Sequence, residues 1–217
     1  MNLRIFDNAA DLIQAAARTL IQRIDAGAQT IALSGGSTPK PLYELLGQNS
    51  ELRKKPITWV LVDERYVPID DPQSNAGMIE KALKPERFLR FKTELDDPAR
   101  TADEFEREWR ELKIERLDIA LLGMGDDGHT ASLFPGTDVL TVENRIAAAV
   151  FVPKMNSWRV TLTKPVLRAA GLRMVLVAGA SKRPILQEVR AGADYPIALV
   201  TRGVETWWFV DREAAVS

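Results

Sequence analysis

Short apolar runs alternate along this chain with longer segments in which apolar residues recur at helical spacing. Mostly apolar runs at residues 30–33, 57–62 and 117–122 predict strands that are buried on both faces of a parallel sheet. Residues 7–25 instead carry the periodicity of an amphipathic helix. This alternation predicts an α/β fold with a Rossmann-like, doubly wound and mostly parallel sheet.

The same two periodicities predict the other elements. Further strands are predicted at residues 3–6, 146–152, 160–163, 173–177, 198–200 and 206–210. Further helices are predicted at residues 40–46, 98–113 and 181–190, and two more begin near Ser74 and Pro165. The charged helix at 98–113 is expected to cover the fold on its solvent side. Since no repeat, low-complexity segment or linker interrupts the sequence, we expect one domain over residues 1–217.

Composition narrows the possible partners. The chain has 217 residues, with 29 lysines and arginines against 30 aspartates and glutamates. Because these charges nearly balance, no overall basic field favours nucleic acid or an anionic membrane. We therefore expect a small-molecule partner bound at a local site, and a monomer or weak homo-oligomer.

The lack of cysteine and the single histidine limit the chemistry. Without thiols there is no disulfide, thiolate metal site or cysteine nucleophile, and one histidine makes an ordinary zinc site implausible. We expect neither a metal nor a cofactor. The first residues show no basic segment followed by an apolar run, and no span of about 20 apolar residues occurs, so a cytoplasmic location is expected.

The densest chemistry lies in residues 117–136, LDIALLGMGDDGHTASLFPG, which contain the only histidine. Glycines such as Gly125 allow unusual backbone conformations and the close approach of a ligand. Asp127 and His129 follow a predicted strand, at the edge where open α/β sheets bind ligands. An imidazole that titrates near neutrality, close to a carboxylate that can fix its tautomer, suits general-base catalysis.

Two other interpretations of this stretch compete with catalysis. Residues 123–128 formally match a dinucleotide-binding fingerprint, but two carboxylates in the loop would repel a pyrophosphate. His129 would otherwise cap the next helix or satisfy a hydrogen bond in the core. Its position near Asp127 favours the catalytic interpretation.

A glycine-rich turn follows the strand at residues 30–33. The sequence SGGSTP at residues 34–39 joins this strand to a predicted helix, so backbone N–H groups and hydroxyls would cradle a phosphate. The candidate ligands are Gly35, Gly36, Ser37 and Thr38. The alternative is an ordinary turn with a serine cap.

A charged cluster follows the strand at residues 57–62. Arg65 offers a planar fork for phosphate, and Asp63 would hold sugar hydroxyls or orient a neighbour. A solvated loop is the plain alternative for such a charged cluster.

Several segments resemble a known family. GMGDDGHTASLFPG is similar to the signature of the 6-phosphogluconolactonases, within a wider group of sugar-phosphate proteins that includes glucosamine-6-phosphate deaminases. Similar family segments recur in the family's order at SGGSTP (34–39), VDERYVP (62–68), DPQSNAGM (71–78) and RVTLT (159–163). The resemblance covers most of the chain and implies a fold of the sugar-phosphate isomerase type.

The resemblance implies hydrolysis of 6-phospho-D-glucono-1,5-lactone to 6-phospho-D-gluconate, in the oxidative pentose phosphate pathway. His129 would act as the general base on water and Asp127 would hold its imidazole. Backbone N–H groups of the turn that includes Gly125 would receive the oxyanion. The loop at residues 34–38 would bind the phosphate of the substrate.

Lys154 and Arg159 resemble positions at which the family keeps basic residues near the phosphate. They would share that role with Arg65. Residues 155–158 depart from the proline-rich run of the family, so Arg159 is the closer match of the two.

Two rival functions are a deaminase and a sensor. In the deaminases a glutamate lies five residues after the histidine, where this chain has Phe134, so the isomerase relay would be incomplete. A non-catalytic sugar-phosphate sensor usually carries a DNA-binding module, and no helix-turn-helix segment precedes the first predicted strand.

Overall fold

Strands and helices alternate through residues 1–215, the part of the chain that the computed structural model describes. The strands are β1 (Asn2–Phe6), β2 (Thr30–Leu33), β3 (Thr58–Leu61), β4 (Asp63–Arg65), β5 (Phe88–Leu89), β6 (Ile119–Gly123), β7 (Ala147–Val152), β8 (Ser157–Leu162), β9 (Leu172–Val177) and β10 (Thr206–Asp211). The α-helices are α1 (Ala9–Asp25), α2 (Lys40–Gly47), α3 (Ser50–Arg53), α4 (Asn75–Leu83), α5 (Pro98–Glu111), α6 (Lys164–Ala169), α7 (Arg183–Ala191), α8 (Pro196–Thr201) and α9 (Arg212–Ala215). Short 3₁₀ helices lie at Asp138–Thr141, Pro153–Met155 and Ala180–Lys182.

Seven of the strands form a parallel sheet in the order β1-β10-β9-β6-β2-β3-β5. From β2 the chain proceeds outward through β3 to β5, then returns to β6 and proceeds the other way through β9 to β10. The crevice between the carboxyl ends of β2 and β6 is therefore the topological switch point, where doubly wound sheets bind their ligands. The predicted doubly wound α/β fold is confirmed.

The apolar runs form the core that the sequence pattern predicts. β9 is buried along its whole length, and β2 is buried from its second residue onward. The amphipathic helix α1 buries Leu12, Ala16 and Leu20 completely on one side. Each buried leucine contributes about 1.5–3 kcal/mol to the free energy of unfolding. This packing therefore stabilises the contact of α1 with β1 and β10 of the large sheet. Among residues 1–215, no helix is long and apolar enough to cross a membrane.

The strand predicted at residues 198–200 is wrong, because this segment lies inside α8. Pro196 starts the helix, and the N–H of Ile197 donates to the carbonyl oxygen of Gly128 at 3.0 Å. A short apolar run fits either a buried strand or one buried turn of helix, and the proline at the first helical position was the signal for a helix. The bond to Gly128 joins α8 to the loop that follows β6.

β4, β8 and β7 form a separate antiparallel sheet that the sequence did not predict. The charged residues of β4 have the composition of a loop, and nothing local in the sequence pairs them with β8. The register places Asp63 opposite Thr161 and Arg65 opposite Arg159. Because alternate residues of a strand share a face, these four residues lie on one side of the small sheet.

α5, which was predicted only as a cover on the solvent side, packs against β7 and β8 of the small sheet. Its inner side buries Phe105 and Trp109. Its Glu106 is also buried and accepts bonds from Nε of Arg145 at 2.7 Å and from the N–H of Ile146 at 2.8 Å. These bonds fix the start of β7 and so help to position the small sheet.

Candidate active site

The turn after β6 is a tight loop that carries Asp127 and His129. The N–H of Gly125 donates to the carbonyl oxygen of His129 at 2.8 Å, and the N–H of Gly128 donates to that of Gly125 at 3.0 Å. Gly128 has a φ of +74°, a left-handed conformation that costs glycine little. The two bonds fold the loop back on itself so that the side chains of Asp127 and His129 meet.

Asp127 and His129 form a hydrogen-bonded pair. Nδ1 of His129 lies 2.5 Å from Oδ1 of Asp127, and the same oxygen accepts the backbone N–H of His129 at 3.2 Å. An ionised carboxylate only accepts hydrogen bonds, so Nδ1 carries the proton and Nε2 keeps a free lone pair. This is the tautomer that a general base requires.

Gly125 leaves the space that the histidine ring occupies. A Cβ at this position would lie 2.0 Å from Nδ1 of His129 and 2.9 Å from Oδ1 of Asp127, well inside van der Waals contact. The sequence predicts a close approach of ligand at Gly125, whereas the structure shows a close approach of the imidazole. Because the N–H of Gly125 is bonded within the turn, it is not free to bind substrate.

Lys154 contacts Asp127, which the sequence did not predict. Its ammonium group pairs with Oδ2 of Asp127. Burial opposes ionisation of this carboxylate, but the hydrogen bonds from Lys154 and His129 outweigh burial and hold the pKa of Asp127 well below its usual value. Asp127 is therefore ionised at neutral pH and holds His129 with one oxygen and Lys154 with the other.

His129 is unprotonated at Nε2 near neutral pH. Burial lowers the pKa of its imidazole, and the carboxylates of Asp127 and Asp63 offset only part of that effect. The ammonium group of Lys154 lowers this pKa further. The free base is thus the ordinary state of the side chain.

We expect His129 to titrate below the usual histidine value of 6.5. Any rate that depends on its free base is present above the lowered pKa and is lost as the pH falls through it. The chain has one histidine, so an NMR titration of the ring Cε1–H signal needs no assignment. A midpoint at or above 6.5 would contradict the expectation.

Asp63 lies buried beside this loop. It is 5% exposed, and its Oδ2 accepts the hydroxyl of Ser132 at 2.6 Å. Ser132 is fully buried, and its N–H donates to Oγ1 of Thr161 at 3.2 Å. These bonds fasten the loop after β6 to the face of the small sheet that carries Arg65 and Arg159.

Arg65 and Arg159 are cross-strand partners on that face. Within residues 1–215, neither of their buried Nε atoms has a hydrogen-bond partner. Arg65 donates one bond to the carbonyl oxygen of Gln73 at 2.6 Å, and Arg159 contacts the sulfur of Met155. Like charges opposite each other destabilise a sheet, and buried donors without acceptors cost free energy. A bound anion would relieve both costs.

The predicted phosphate loop reaches this group of residues through Gly35. A Cβ on Gly35 would lie 1.8 Å from Oδ1 of Asn75, so only glycine fits against that side chain. Nδ2 of Asn75 in turn donates to the carbonyl oxygen of Asp63 at 2.9 Å. In the described chain α2 begins at Lys40 with no side-chain cap, but Pro41 in its first turn has no N–H and Leu42 is fully buried.

The structure brings most of the predicted site residues into one connected group: Gly35, Asp63, Arg65, Gly125, Asp127, His129, Lys154 and Arg159. Gly36 and Ser37 are exposed at the tip of the loop. Ser37 and Thr38 line a different groove of about 490 Å³, together with Ile13 and Gln14 of α1. Their role in binding phosphate stays a prediction.

Glu64 is a buried anchor that sequence reasoning missed. Its carboxylate accepts the hydroxyl of Ser74 and the backbone N–H groups of Arg65, Asn75 and Ala76. It therefore holds β4 against the start of α4. The available signal was strand alternation, which places Glu64 on the opposite face from Asp63 and Arg65.

The structure is that of an α/β protein with a hydrogen-bonded Asp–His pair near the switch point of its sheet. Two arginines lie beside this pair, and within residues 1–215 their Nε atoms have no hydrogen-bond partner. A family described as "Glucosamine-6-phosphate isomerases/6-phosphogluconolactonase" matches residues 4–208. The chain belongs to that family.

Individual proteins show the same relationship. The 6-phosphogluconolactonase of Nostoc sp. is 39% identical over 221 residues, which cover 94% of this chain and 90% of that protein. The solved 6-phosphogluconolactonase from Trypanosoma cruzi superposes with a TM-score of 0.88 at 30% identity and covers 99% of this chain and 95% of its own. A monomeric glucosamine-6-phosphate deaminase superposes with a TM-score of 0.85 at 22% identity and 99% coverage of both chains, a likeness of fold alone. Site residues must therefore distinguish between the reactions.

Proposed function

We propose that this chain hydrolyses 6-phospho-D-glucono-1,5-lactone to 6-phospho-D-gluconate, a step of the oxidative pentose phosphate pathway. The observation that carries the proposal is the Asp127–His129 pair. It lies in one connected group with Arg65 and Arg159, whose Nε atoms have no hydrogen-bond partner within the described residues. This arrangement suits a substrate that has an electrophilic carbonyl at one end and a phosphate at the other.

In the proposed mechanism His129 takes a proton from water as the water oxygen attacks the lactone carbonyl. Ionised Asp127 holds the imidazole and stabilises the imidazolium that forms. The tetrahedral intermediate then breaks its bond to the ring oxygen, and protonated His129 returns the proton to that leaving oxygen. A lactone ester is reactive, so positioning and a general base suffice without a metal or a covalent nucleophile.

Backbone N–H groups of the turn after β6 would stabilise the oxyanion. Those of Gly125 and Gly128 are bonded within the turn, so we assign this role to the N–H groups of Asp126 and Asp127. The phosphate would bind to Arg65 and Arg159. Lys154 would reach the phosphate only by releasing Asp127, which makes it the weaker candidate.

Phe134 argues against the rival deaminase function. It occupies the position five residues after His129 and is 2% exposed, so an apolar ring stands where the deaminases keep an acid. Without that acid the isomerase relay would be incomplete, although His129 keeps its partner Asp127.

The proposal is tested by the rate at which wild-type protein hydrolyses freshly generated 6-phosphogluconolactone above the spontaneous background. A large acceleration supports the lactonase. Release of ammonia from glucosamine 6-phosphate would instead support the deaminase, and tight binding of a sugar phosphate without turnover would support a sensor.

Substituting Arg159→Gln is expected to raise KM for the phosphorylated lactone by about 10- to 100-fold, because charged hydrogen bonds to phosphate are lost. The melting temperature should change little, since the substitution removes the repulsion between Arg65 and Arg159 and a buried donor without a partner, but also the attraction between Arg159 and Asp63. Steady-state kinetics and a thermal melt measure the two effects.

Arg173 provides the matched control, because it is also buried but each of its guanidinium nitrogens donates a hydrogen bond. It is 2% exposed, and its guanidinium donates to the carbonyl oxygens of Glu205 at 2.7 Å and Ala170 at 2.7 Å. Arg173→Gln should therefore lower the melting temperature and leave KM unchanged. A fall in melting temperature with unchanged KM for Arg159→Gln would show that Arg159 is structural.

We also propose that the enzyme works in the cytoplasm on a freely diffusing substrate, as a monomer or weak homo-oligomer. The nearly balanced charge and the lack of cysteine fit that setting.

A further inference from the structure

The ring of Phe134 lies flat against the imidazole of His129. The ring centroids are 4.1 Å apart and the planes differ by 23°. An offset stack at such a distance is a favourable aromatic contact. It covers a face of the imidazole that would otherwise meet water.

The backbone between the two residues is built to make this contact. The N–H of Leu133 donates to the carbonyl oxygen of Thr130 at 3.0 Å, which reverses the chain. Ala131 sits at φ +52°, a left-handed conformation that costs a residue with a Cβ about 1 kcal/mol or more. The hydroxyl of Thr137 then donates to the carbonyl oxygen of Phe134 at 2.7 Å. The turn thus contains a strained residue, Ala131, and it places Phe134 against the ring of His129.

Two cations also lie near the Phe134 ring. Nζ of Lys154 is 5.5 Å and the guanidinium carbon of Arg159 is 5.6 Å from its centroid, both within cation–π range. The ring therefore lies between the Asp127–His129 pair and Arg159, which is proposed to bind the phosphate.

We propose that Phe134 is a positioning residue, whose ring fixes the plane of the His129 imidazole and keeps water from one of its faces. Its effect on turnover rests on the proposed function, but its effect on His129 does not. The hydrogen bond to Asp127 fixes only one ring nitrogen, so the imidazole could still swing about that bond. The stacked ring opposes this swing and aims Nε2 in one direction.

The titration of His129 reports this role directly. Asp127, Asp63 and Lys154 are the charged groups that face the imidazole, and burial is the largest influence on its pKa. Removing the ring admits water and weakens the effect of burial, so the pKa of His129 should rise toward its usual value. The acid limb of the kcat profile should then move to higher pH.

The experiment compares Phe134→Leu with a matched control, Phe91→Leu. Phe91 is fully buried and stacks on Phe105 at 4.1 Å and 20° within the core, so both variants lose one stacked ring. NMR of the single histidine should show a raised pKa in Phe134→Leu and the wild-type value in Phe91→Leu. With the lactone, kcat should fall roughly 10-fold or more for Phe134→Leu while KM stays near wild type.

Equal His129 titration in the two variants would overturn the proposal. If Phe134→Leu fails to fold, Phe134→Met replaces the flat ring with a flexible side chain that covers the imidazole less completely, so it should also show a raised pKa of His129. If the wild type does not hydrolyse the lactone, the proposed function fails, while the NMR comparison still decides the positioning role.

Discussion

Substituting His129→Ala is expected to lower kcat for 6-phosphogluconolactone by roughly 100-fold or more. The variant loses the side chain that is proposed to take a proton from water, while Arg65 and Arg159, the proposed phosphate ligands, are unchanged, so KM should change little. The measurement is the initial rate on freshly generated lactone with the spontaneous rate subtracted. His129→Gln, which keeps a polar side chain of similar size, should behave in the same way.

Asp126→Asn supplies a control in the same loop. Asp126 precedes Asp127, but its exposed carboxylate pairs with Lys182 at 2.6 Å and does not contact the imidazole. This variant keeps the backbone N–H of residue 126, which is proposed to stabilise the oxyanion, and changes only the side chain, so kcat should stay near wild type. Wild-type turnover by His129→Ala would remove His129 from the mechanism, whereas an equal loss in both variants would indicate damage to the loop.

Substituting Gly125→Ala should lower kcat by about 100-fold with the charged groups all still present. The new Cβ would lie 2.0 Å from Nδ1 of His129, so the imidazole must move. A displacement of about 1 Å in a reacting group costs about 100-fold in rate. The His129 NMR signal should shift and its contact with Asp127 should weaken, while thermal melts show that the protein stays folded.

Gly123→Ala is the matched control for this change. Among the described residues, no heavy atom beyond its chain neighbours lies within 4 Å of a Cβ built on Gly123. The position therefore accepts alanine without moving the loop, and kcat should stay near wild type. If Gly125→Ala is as active as Gly123→Ala, the close approach of Gly125 to the base has no catalytic importance.

Local periodicity was enough to predict six of the seven strands of the large sheet, but not the two-residue strand β5. β2, β6 and β9 are mostly apolar because helices cover both faces of a parallel sheet, and this burial leaves a direct record in the sequence. Apolar segments of three residues carry no such record, which is why residues 198–200 were assigned to a strand instead of α8. The expectation of one domain over residues 1–217 stays a prediction, and Val216 and Ser217 lie outside the described residues.

The site was predictable where a motif is contiguous and not where distant segments meet. Asp127 and His129 are two residues apart, so their pairing follows from spacing alone. The partnership of Arg65 with Arg159 depends on a strand pair that no local pattern specifies. The contact between Lys154 and Asp127 is also decided by the fold, because a long side chain on a hairpin has many possible partners.

In the proposed mechanism, residues of the small sheet and of the large sheet bind different ends of the substrate. The proposed base, His129, lies on the loop after β6, whereas the two arginines lie on β4 and β8. The hydrogen bond between Ser132 and Asp63 joins this loop to β4. In the proposed mechanism, the distance between these two groups therefore has to match the distance between the reacting carbonyl and the phosphate of the substrate. Changes in the packing between the sheets would alter this distance. They would then alter which length of sugar lactone the enzyme accepts, without altering any charged group.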